Sequence, residues 1–540
     1  MRIALLTESA FPSARSAEGG WCDRLTQGLP EHEFELFALG TGRRAVGDVP
    51  LPAELPPARL SALWHSAPAP AVLRGLGRRR ALAAYRALLR SLVEPGEESG
   101  FGPALYALAA AGRGGGLPAV LRSGAALRAV EEAWQAPGAF GAAGTGAAGE
   151  PLVRDALVAT DLLERCLRPL SAPWYPAPGR APGRRADTGV PGTAVPRGGA
   201  GLHGGTGPGL AEVDLCHAVG GGPAVLPGLL AKHFYGIPLI ITEHSLHLRE
   251  RARGYRDAPY RWPVRALLLA FFRLLAREGY QQAGLITPGS GYDRRWQLHC
   301  GADPDTIRVV YEGTEQADRP AAGAEPEAPT LAWSGPLEPR AGLEDMLQAF
   351  ALLRAEVPEA LLRVHGEARS GAEPYAEHCR ALAGTLFPAD EDAVLFEGRP
   401  EGQRTVHEGG TVLVFSGVDG PAPRLLAEAM LSGRPLVATD VGAAREVVGP
   451  TGLLVPAGDP RALAAACAAL LRDQERRVRL GSAGRLRAQE LYAVEPAATA
   501  FRELYLELVS HCPGPASRPV ASGATRQPFS RPAELWAGAG

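Results

Sequence analysis

Residues 411–446 read TVLVFSGVDGPAPRLLAEAMLSGRPLVATDVGAARE: an apolar run, a Gly/Pro-rich loop, an amphipathic stretch closed by Gly433, a second apolar run and a second glycine loop. Unbroken apolar runs on either side of a helix-period stretch read as strands buried on both faces and joined by a parallel crossover. A βαβ unit of this kind commits the chain to a sheet covered by helices. Such sheets bind ligands beyond the carboxyl ends of their strands, where loops and helix N-termini offer unpaired N–H groups and a positive dipole. One carboxylate, Glu428, lies inside the helix among Leu425, Leu426, Ala429 and Met430. An ionised group among apolar neighbours needs a partner, so Glu428 is either a solvated edge residue or a ligand for polar hydroxyls.

The same rhythm runs through much of the chain. Residues 2–7 read as a strand, Gly19-Gly20 as a loop that either approaches a ligand closely or simply turns, 21–29 as a helix and 34–39 as a strand. Between 50 and 212 the pattern loosens into Ala/Arg/Leu segments, with amphipathic helices expected over 81–92 and 119–135. Residues 176–210, rich in Gly, Pro and Arg, have almost nothing to bury and read as a disordered insertion. Strands follow at 213–219, 238–242 and 285–287, then at 330–333, 361–364, 393–397 and 452–455, with helices at 343–354, 374–386, 459–472 and 496–510. The fold class is therefore α/β: two doubly wound Rossmann-like domains, over 1–317 and 330–492, joined by a linker at 318–329 and facing each other across a cleft. A helix over 493–512 and a disordered tail over 513–540 complete the expected division.

A chain of 540 residues is too long for one ordinary core, and its formal charge of -2 gives no global pull towards nucleic acid or an anionic membrane. Its seven cysteines are odd in number and contain no C-x-x-C pair, which suits reduced thiols better than disulfides or zinc. The N-terminal apolar run is too short for a signal peptide, and no window supplies the ~20 apolar residues of a membrane span. A cytoplasmic protein with no nucleic-acid partner is expected. Asp390-Glu391-Asp392 has metal-ligand spacing but precedes a strand, so a solvated turn is expected there and no metal. Gly220-Gly221-Gly222 imitates a dinucleotide fingerprint, yet Val225 stands where the third glycine belongs, and a nicotinamide or flavin enzyme is disfavoured.

Two histidines accompany predicted strands beside the cleft, His244 just after 238–242 and His217 after VDLC in 213–219. His244 follows Glu243 and can give a hydrogen bond or proton to developing charge, or be satisfied by local backbone; His217 sits similarly. Arg249 and Arg251 open a basic segment, 249–277, that either packs a helix into the core or lies on an anionic membrane surface.

Four stretches together resemble the retaining glycosyltransferases of family 4, in the branch that makes Pel exopolysaccharide: 1–39 with GGWCDRLTQGLPEHEFELFAL, 214–251 with DLCHAVGGGPAVLPGLLAKHFYGIPLIITEHSLHLRER, 294–315 with RRWQLHCGADPDTIRVVYEGTE, and 411–458. The resemblance implies a GT-B architecture, with the nucleotide-sugar donor held by the second domain, the acceptor by the first and the last helix crossing back. It implies transfer with retention from a nucleotide-diphosphate sugar, UDP-sugar favoured, to a glycan or lipid-linked acceptor, with no metal or other cofactor; peripheral contact at the inner membrane face is the expectation that the basic segment 249–277 carries. By the same resemblance Glu428 holds the donor ribose, Gly19 and Gly20 lie by the donor phosphate, His244 stands beside the reacting sugar, and Gly442 and Glu446 belong to the following donor loop. His217, Arg249 and Arg251 fall on the acceptor side. The chain also departs from the pattern. The first glutamate of E-x7-E falls on Gly420, leaving Asp419 one position away as its catalytic replacement. The usual phosphate-binding Arg and Lys fall on Pro336 and Ala341, leaving Arg340 and Arg424 to compensate. A catalytically impaired homologue acting as a scaffold is the alternative these departures imply.

Overall fold

The computed structural model describes residues 1–8, 17–40, 58–62, 73–113, 115–140, 151–172, 174–175, 209–255, 258–314, 320–368, 371–388, 390–400, 402–419 and 423–511. Their strands form two six-stranded, all-parallel sheets. The first contains β1 (Arg2–Thr7), β2 (Glu33–Gly40), β3 (Ala58–Ala62), β4 (Leu215–Val219), β5 (Leu239–Glu243) and β6 (Leu285–Pro288), in the order β3-β2-β1-β4-β5-β6. The second contains β7 (Thr330–Ser334), β8 (Leu361–His365), β9 (Val394–Gly398), β10 (Val412–Phe415), β11 (Leu436–Thr439) and β12 (Leu453–Val455), in the order β12-β11-β10-β7-β8-β9. Strand order reverses between β1 and β4 and between β7 and β10, so each sheet opens a crevice at the carboxyl ends of those pairs. The two Rossmann-like units face each other across a cleft, the architecture expected from the sequence.

Why the strands lie there follows from their composition. β4 and β5 are buried at every position, as strands covered by helices on both faces must be. The loosely patterned region is more ordered than its sequence suggests: Gly75–Val93, Phe101–Gly112, Gly124–Gln135 and Val153–Leu167 are helices of the first domain, sharing its core with Trp262–Gln282. The helix expected over 119–135 is two, Leu117–Leu121 and Gly124–Gln135, because the Ser123 side chain caps the second by accepting from the Ala126 N–H at 3.4 Å. The expected insertion lies outside the described residues except for Gly209 and the buried Leu210, and the expected tail lies wholly outside them.

The second half of the basic segment is packed inward. Trp262–Gln282 buries Leu267, Leu268, Phe271, Phe272, Leu274 and Leu275, while Arg273 and Arg277 reach Glu98 at 2.7 and 3.0 Å and Arg261 reaches Asp155 at 2.5 Å. With its apolar face against the core and these arginines paired, Trp262–Gln282 follows the first of the two readings of the basic segment, a helix packed into the core. Among the described residues no helix is long and apolar enough to cross a membrane.

The helix Val494–His511 returns from the second sheet and packs its Phe501, Leu504, Tyr505 and Leu508 against Ile3, Leu5 and Trp21 of the first. It leaves beside the outgoing connection, where the Thr314 N–H donates to the Tyr492 carbonyl at 2.8 Å and a Cβ on Gly313 would lie 2.6 Å from the Val494 Cα. His217 anchors it. Its Nδ1 lies 2.7 Å from the Tyr505 hydroxyl, its Nε2 2.6 Å from Thr242 Oγ1, and Thr242 Oγ1 lies 2.5 Å from Thr287 Oγ1. Tyr505→Phe should therefore cost about 1–3 kcal/mol, the penalty of leaving a buried imidazole nitrogen without its partner, read as a lower denaturant midpoint. An unchanged midpoint would show that the chain of hydroxyls contributes nothing to docking.

Candidate active site

On the second-domain side of the cleft, the loops leaving β7 and β10 flank the crevice and are tied together. Ser416 Oγ donates to the Gly342 carbonyl at 2.7 Å, Trp333 Nε1 donates to Ser416 Oγ at 2.9 Å, and the Val418 N–H donates to the Arg340 carbonyl at 2.9 Å. Glu428 follows in the helix Pro423–Leu431 and is only 3% exposed. Its helix neighbour Arg424 donates to it at 2.5 Å, so the buried carboxylate is paired four residues back along one face. Arg424 also lies 3.6 Å from Glu312, to which Arg24 of the first domain donates at 2.6 Å. Glu428, Arg424, Glu312 and Arg24 thus form one alternating chain of charge running from the second domain to the first. Burial raises the Glu312 carboxyl pKa, against the pull of the two guanidiniums.

His244 follows β5. Its two ring nitrogens are shielded from solvent and find no hydrogen-bond partner among the described residues, while the Trp21 ring packs 5.0 Å away. Burial, and secondarily the Arg24 guanidinium, holds its pKa down to about 3, so the imidazole is neutral near pH 7 and offers one donor and one acceptor. Unsatisfied buried nitrogens at the carboxyl end of a parallel strand are the signature of a place built for a polar ligand. The adjacent Glu243 is already used: Tyr280 and Gln297 donate to it at 2.5 and 3.0 Å, and burial raises its pKa.

Several expected site residues are placed otherwise. His217, expected on the acceptor side, is fully buried with both nitrogens engaged, and burial lowers its pKa to about 3; it is a structural tie. Glu446, expected in the donor loop, accepts from the Gly291 and Tyr292 N–H groups at 2.8 and 3.2 Å and from the Tyr311 hydroxyl at 3.0 Å. A second-domain carboxylate therefore closes the N-terminus of the first-domain helix Gly291–His299, where unpaired N–H groups and the helix dipole attract it. Asp419, expected beside the transferred sugar, is instead gripped by Arg253 at 2.6 Å, from the first-domain helix His247–Gly254, and lies 3.7 Å from Arg340. Gly19 and Gly20 lie within the helix Ala17–Gly28, not in a loop before it. Gly442 adopts a φ of 62°, the left-handed turn that lets the chain leave β11 and enter the next helix. Arg249 stacks 5.2 Å from the Tyr292 ring.

Residues the sequence did not single out complete the first-domain side. Glu8, directly after β1, accepts from the Ala224 N–H at 3.2 Å and faces Arg251 at 3.7 Å; burial outweighs that guanidinium and pushes its carboxyl up to about 7. Gly222 has to lack a side chain, since a Cβ there would sit 2.2 Å from Glu8 Oε1 and 2.4 Å from His247 Cε1. The triple glycine therefore makes room for this chain's own carboxylate and imidazole. An acidic residue directly after a first strand was the one available signal. Arg24, Arg253 and Glu312 carried none, because only the fold brings them to the cleft. Among the described residues no group of three His, Cys, Asp or Glu side chains is placed to hold a metal ion.

Comparison with known proteins places this geometry. A domain of unknown function, DUF3492, matches residues 1–142 and 206–305, and the glycosyl transferases group 1 family matches residues 328–473. A D-inositol 3-phosphate glycosyltransferase of Corynebacterium efficiens is 27% identical over 307 residues, covering 53% of this chain and 70% of that protein. One from Nocardia farcinica is 29% identical over 275 residues, covering 47% of this chain and 58% of that protein. The sucrose-phosphate synthase of Thermosynechococcus elongatus superposes over 94% of this chain and 99% of its own at a TM-score of 0.55, and its 16% identity makes this a likeness of fold alone. The second sheet thus carries the match to the glycosyl transferases group 1 family, and the two facing Rossmann-like units have the architecture of a GT-B fold.

Proposed function

We propose that the protein transfers a hexosyl group, with retention, from a nucleotide-diphosphate sugar to a hydroxyl of a glycan or lipid-linked acceptor, and that the donor is a UDP-sugar. The observation that carries this reading is His244: two solvent-shielded ring nitrogens without a partner among the described residues, directly after the carboxyl end of β5. A neutral imidazole cannot serve as the general acid at neutral pH, so His244 orients the transferred sugar by hydrogen bonds, one given and one accepted. Glu428 receives the two ribose hydroxyls of the donor, a role that suits a buried carboxylate on the helix leaving the β10 loop. Arg340 and the helix N-termini at the β7/β10 crevice face the leaving diphosphate and stabilise its developing charge. Glu8, Arg249 and Arg251 line the acceptor side. The resemblance of residues 214–251 and 294–315 to the Pel exopolysaccharide branch supports a polysaccharide acceptor.

Calorimetric titration with UDP and UDP-glucose, followed by proton NMR of the product's anomeric signal, tests the reading. The expected result is nucleotide binding, α-linked product from α-linked donor, and at least a hundredfold loss of turnover in His244→Ala with UDP affinity retained. A second reading has its own observation: the pairing of Arg424 with Glu428 and of Arg253 with Asp419 fills the cleft with internal salt bridges, as a non-catalytic scaffold would tolerate. Absence of binding to any common nucleotide sugar would decide for the scaffold.

A further inference from the structure

The contact across the cleft joins Arg340 to Arg253 and Asp419, two charged groups that the reading above leaves without work. Asp419 follows β10 and Arg340 follows β7, the two strands between which the second sheet reverses, so both stand at the crevice where an anionic ligand of this sheet belongs. Arg253 enters from the opposite domain, on the helix that follows β5. Asp419 accepts from Arg253 at 2.6 Å and lies 3.7 Å from Arg340, while the three side chains remain 27–48% exposed. Two guanidiniums from facing domains thus converge on a single anionic group.

The neighbouring cations are committed elsewhere. Arg424 serves Glu428 and Glu312, and Arg445 is bound to Asp440. Arg340 cannot withdraw with a mobile loop, because its carbonyl is bonded to the Val418 N–H and Gly342 behind it is tied to Ser416. The Arg340 backbone is therefore held at the crevice by the fold, and Asp419 pairs with both guanidiniums from within.

We propose that the Asp419 carboxylate is an internal stand-in for the donor diphosphate, and that Arg253, a residue of the first domain, completes with Arg340 the cationic site that the diphosphate takes over. This rests on the nucleotide-sugar reading and adds to it the residues that recognise the phosphates and the group they displace. A carboxylate brings one charge and two acceptor atoms, whereas a diphosphate brings at least two charges and several oxygens arranged for forked guanidinium contacts. The exchange releases Asp419 to water, where an exposed carboxylate is readily solvated. It also leaves Arg253 bound to the ligand instead of to the second domain, so the nucleotide itself becomes the bridge across the cleft. The apparent affinity of the wild-type protein is lowered by the fraction of molecules in which the internal pair is formed.

The test is calorimetric titration of the full chain with UDP, inorganic pyrophosphate and UDP-glucose, comparing wild type with Asp419→Asn, Arg253→Ala and Arg253→Lys. Asp419→Asn should bind UDP and pyrophosphate about three- to tenfold more tightly. Arg253→Ala should bind both about tenfold more weakly, with Arg253→Lys between it and wild type. In the double variant, the gain from Asp419→Asn should vanish, since the two residues act on one contact. Unchanged UDP affinity in Asp419→Asn and Arg253→Ala overturns the proposal while leaving the donor reading intact. A loss confined to UDP-glucose in Asp419→Asn also overturns it, because Asp419 would then be a sugar ligand. If neither UDP nor pyrophosphate binds any of these proteins, the donor reading falls together with the proposal.

Discussion

Gly342→Ala is expected to destabilise the second domain by about 3 kcal/mol or more and to abolish nucleotide binding with it. Gly342 has a φ of 71°, and a Cβ there would lie 2.0 Å from the Ser416 carbonyl oxygen and 3.3 Å from the Gly417 Cα. The obstacle is backbone at the end of a central strand, which no rotamer change can move. Relief requires the loops after β7 and β10 to part, and these loops carry Arg340 and Asp419. Gly371, with a φ of 93° but open space around its Cβ position, provides the control. Gly371→Ala should cost only the left-handed penalty of roughly 1–2 kcal/mol and leave UDP affinity unchanged. Urea titration and calorimetry on the two variants separate the clash from the conformational strain. Equal stabilities would mean that the two loops are not held as closely as their contacts indicate.

Glu428→Ala should weaken uridine and UDP by the same factor, on the order of tenfold or more, the worth of hydrogen bonds to a charged group. The equality is the diagnostic part. A ribose ligand acts on nucleoside and nucleotide alike, whereas a phosphate ligand such as Arg253 acts on UDP alone. Stability should change little, by about 1 kcal/mol, because Arg424 is 31% exposed and keeps Glu312 within 3.6 Å after Glu428 is gone. An effect on UDP without one on uridine would remove Glu428 from the ribose and leave it as the partner that orients Arg424.

The parallel sheets were legible because burial on both faces leaves unbroken apolar runs. LIITE at β5 and VLVF at β10 could hardly be anything else, and their order fixed the cleft. The helices over 75–171 were harder to see. Helix Val153–Leu167 keeps Leu157 and Val158 exposed while burying Asp155 and Glu164, which blurs the apolar period that marks a helix. In the site, Glu428 and His244 stood out because each broke a local rule, a charge among apolar residues or a histidine closing a buried strand. His217 broke the same rule and turned out to be a tie to Tyr505, a partner 288 residues away that no local pattern announces. Glu446 likewise found its use across the domain boundary. Positions were readable from the sequence; partners, being tertiary, were not.

The two connections between the domains run side by side, bonded from the Thr314 N–H to the Tyr492 carbonyl and packed too closely at Gly313 for any side chain. Two strands of chain fixed to each other at a common point act as a hinge pin. Sliding and twisting of one domain against the other would have to tear that seam, so rotation about it is the motion the covalent structure leaves free. Rotation about the seam would also have to part Glu446 from the Gly291 and Tyr292 N–H groups and Asp419 from Arg253, so these contacts are expected to break together when the cleft widens.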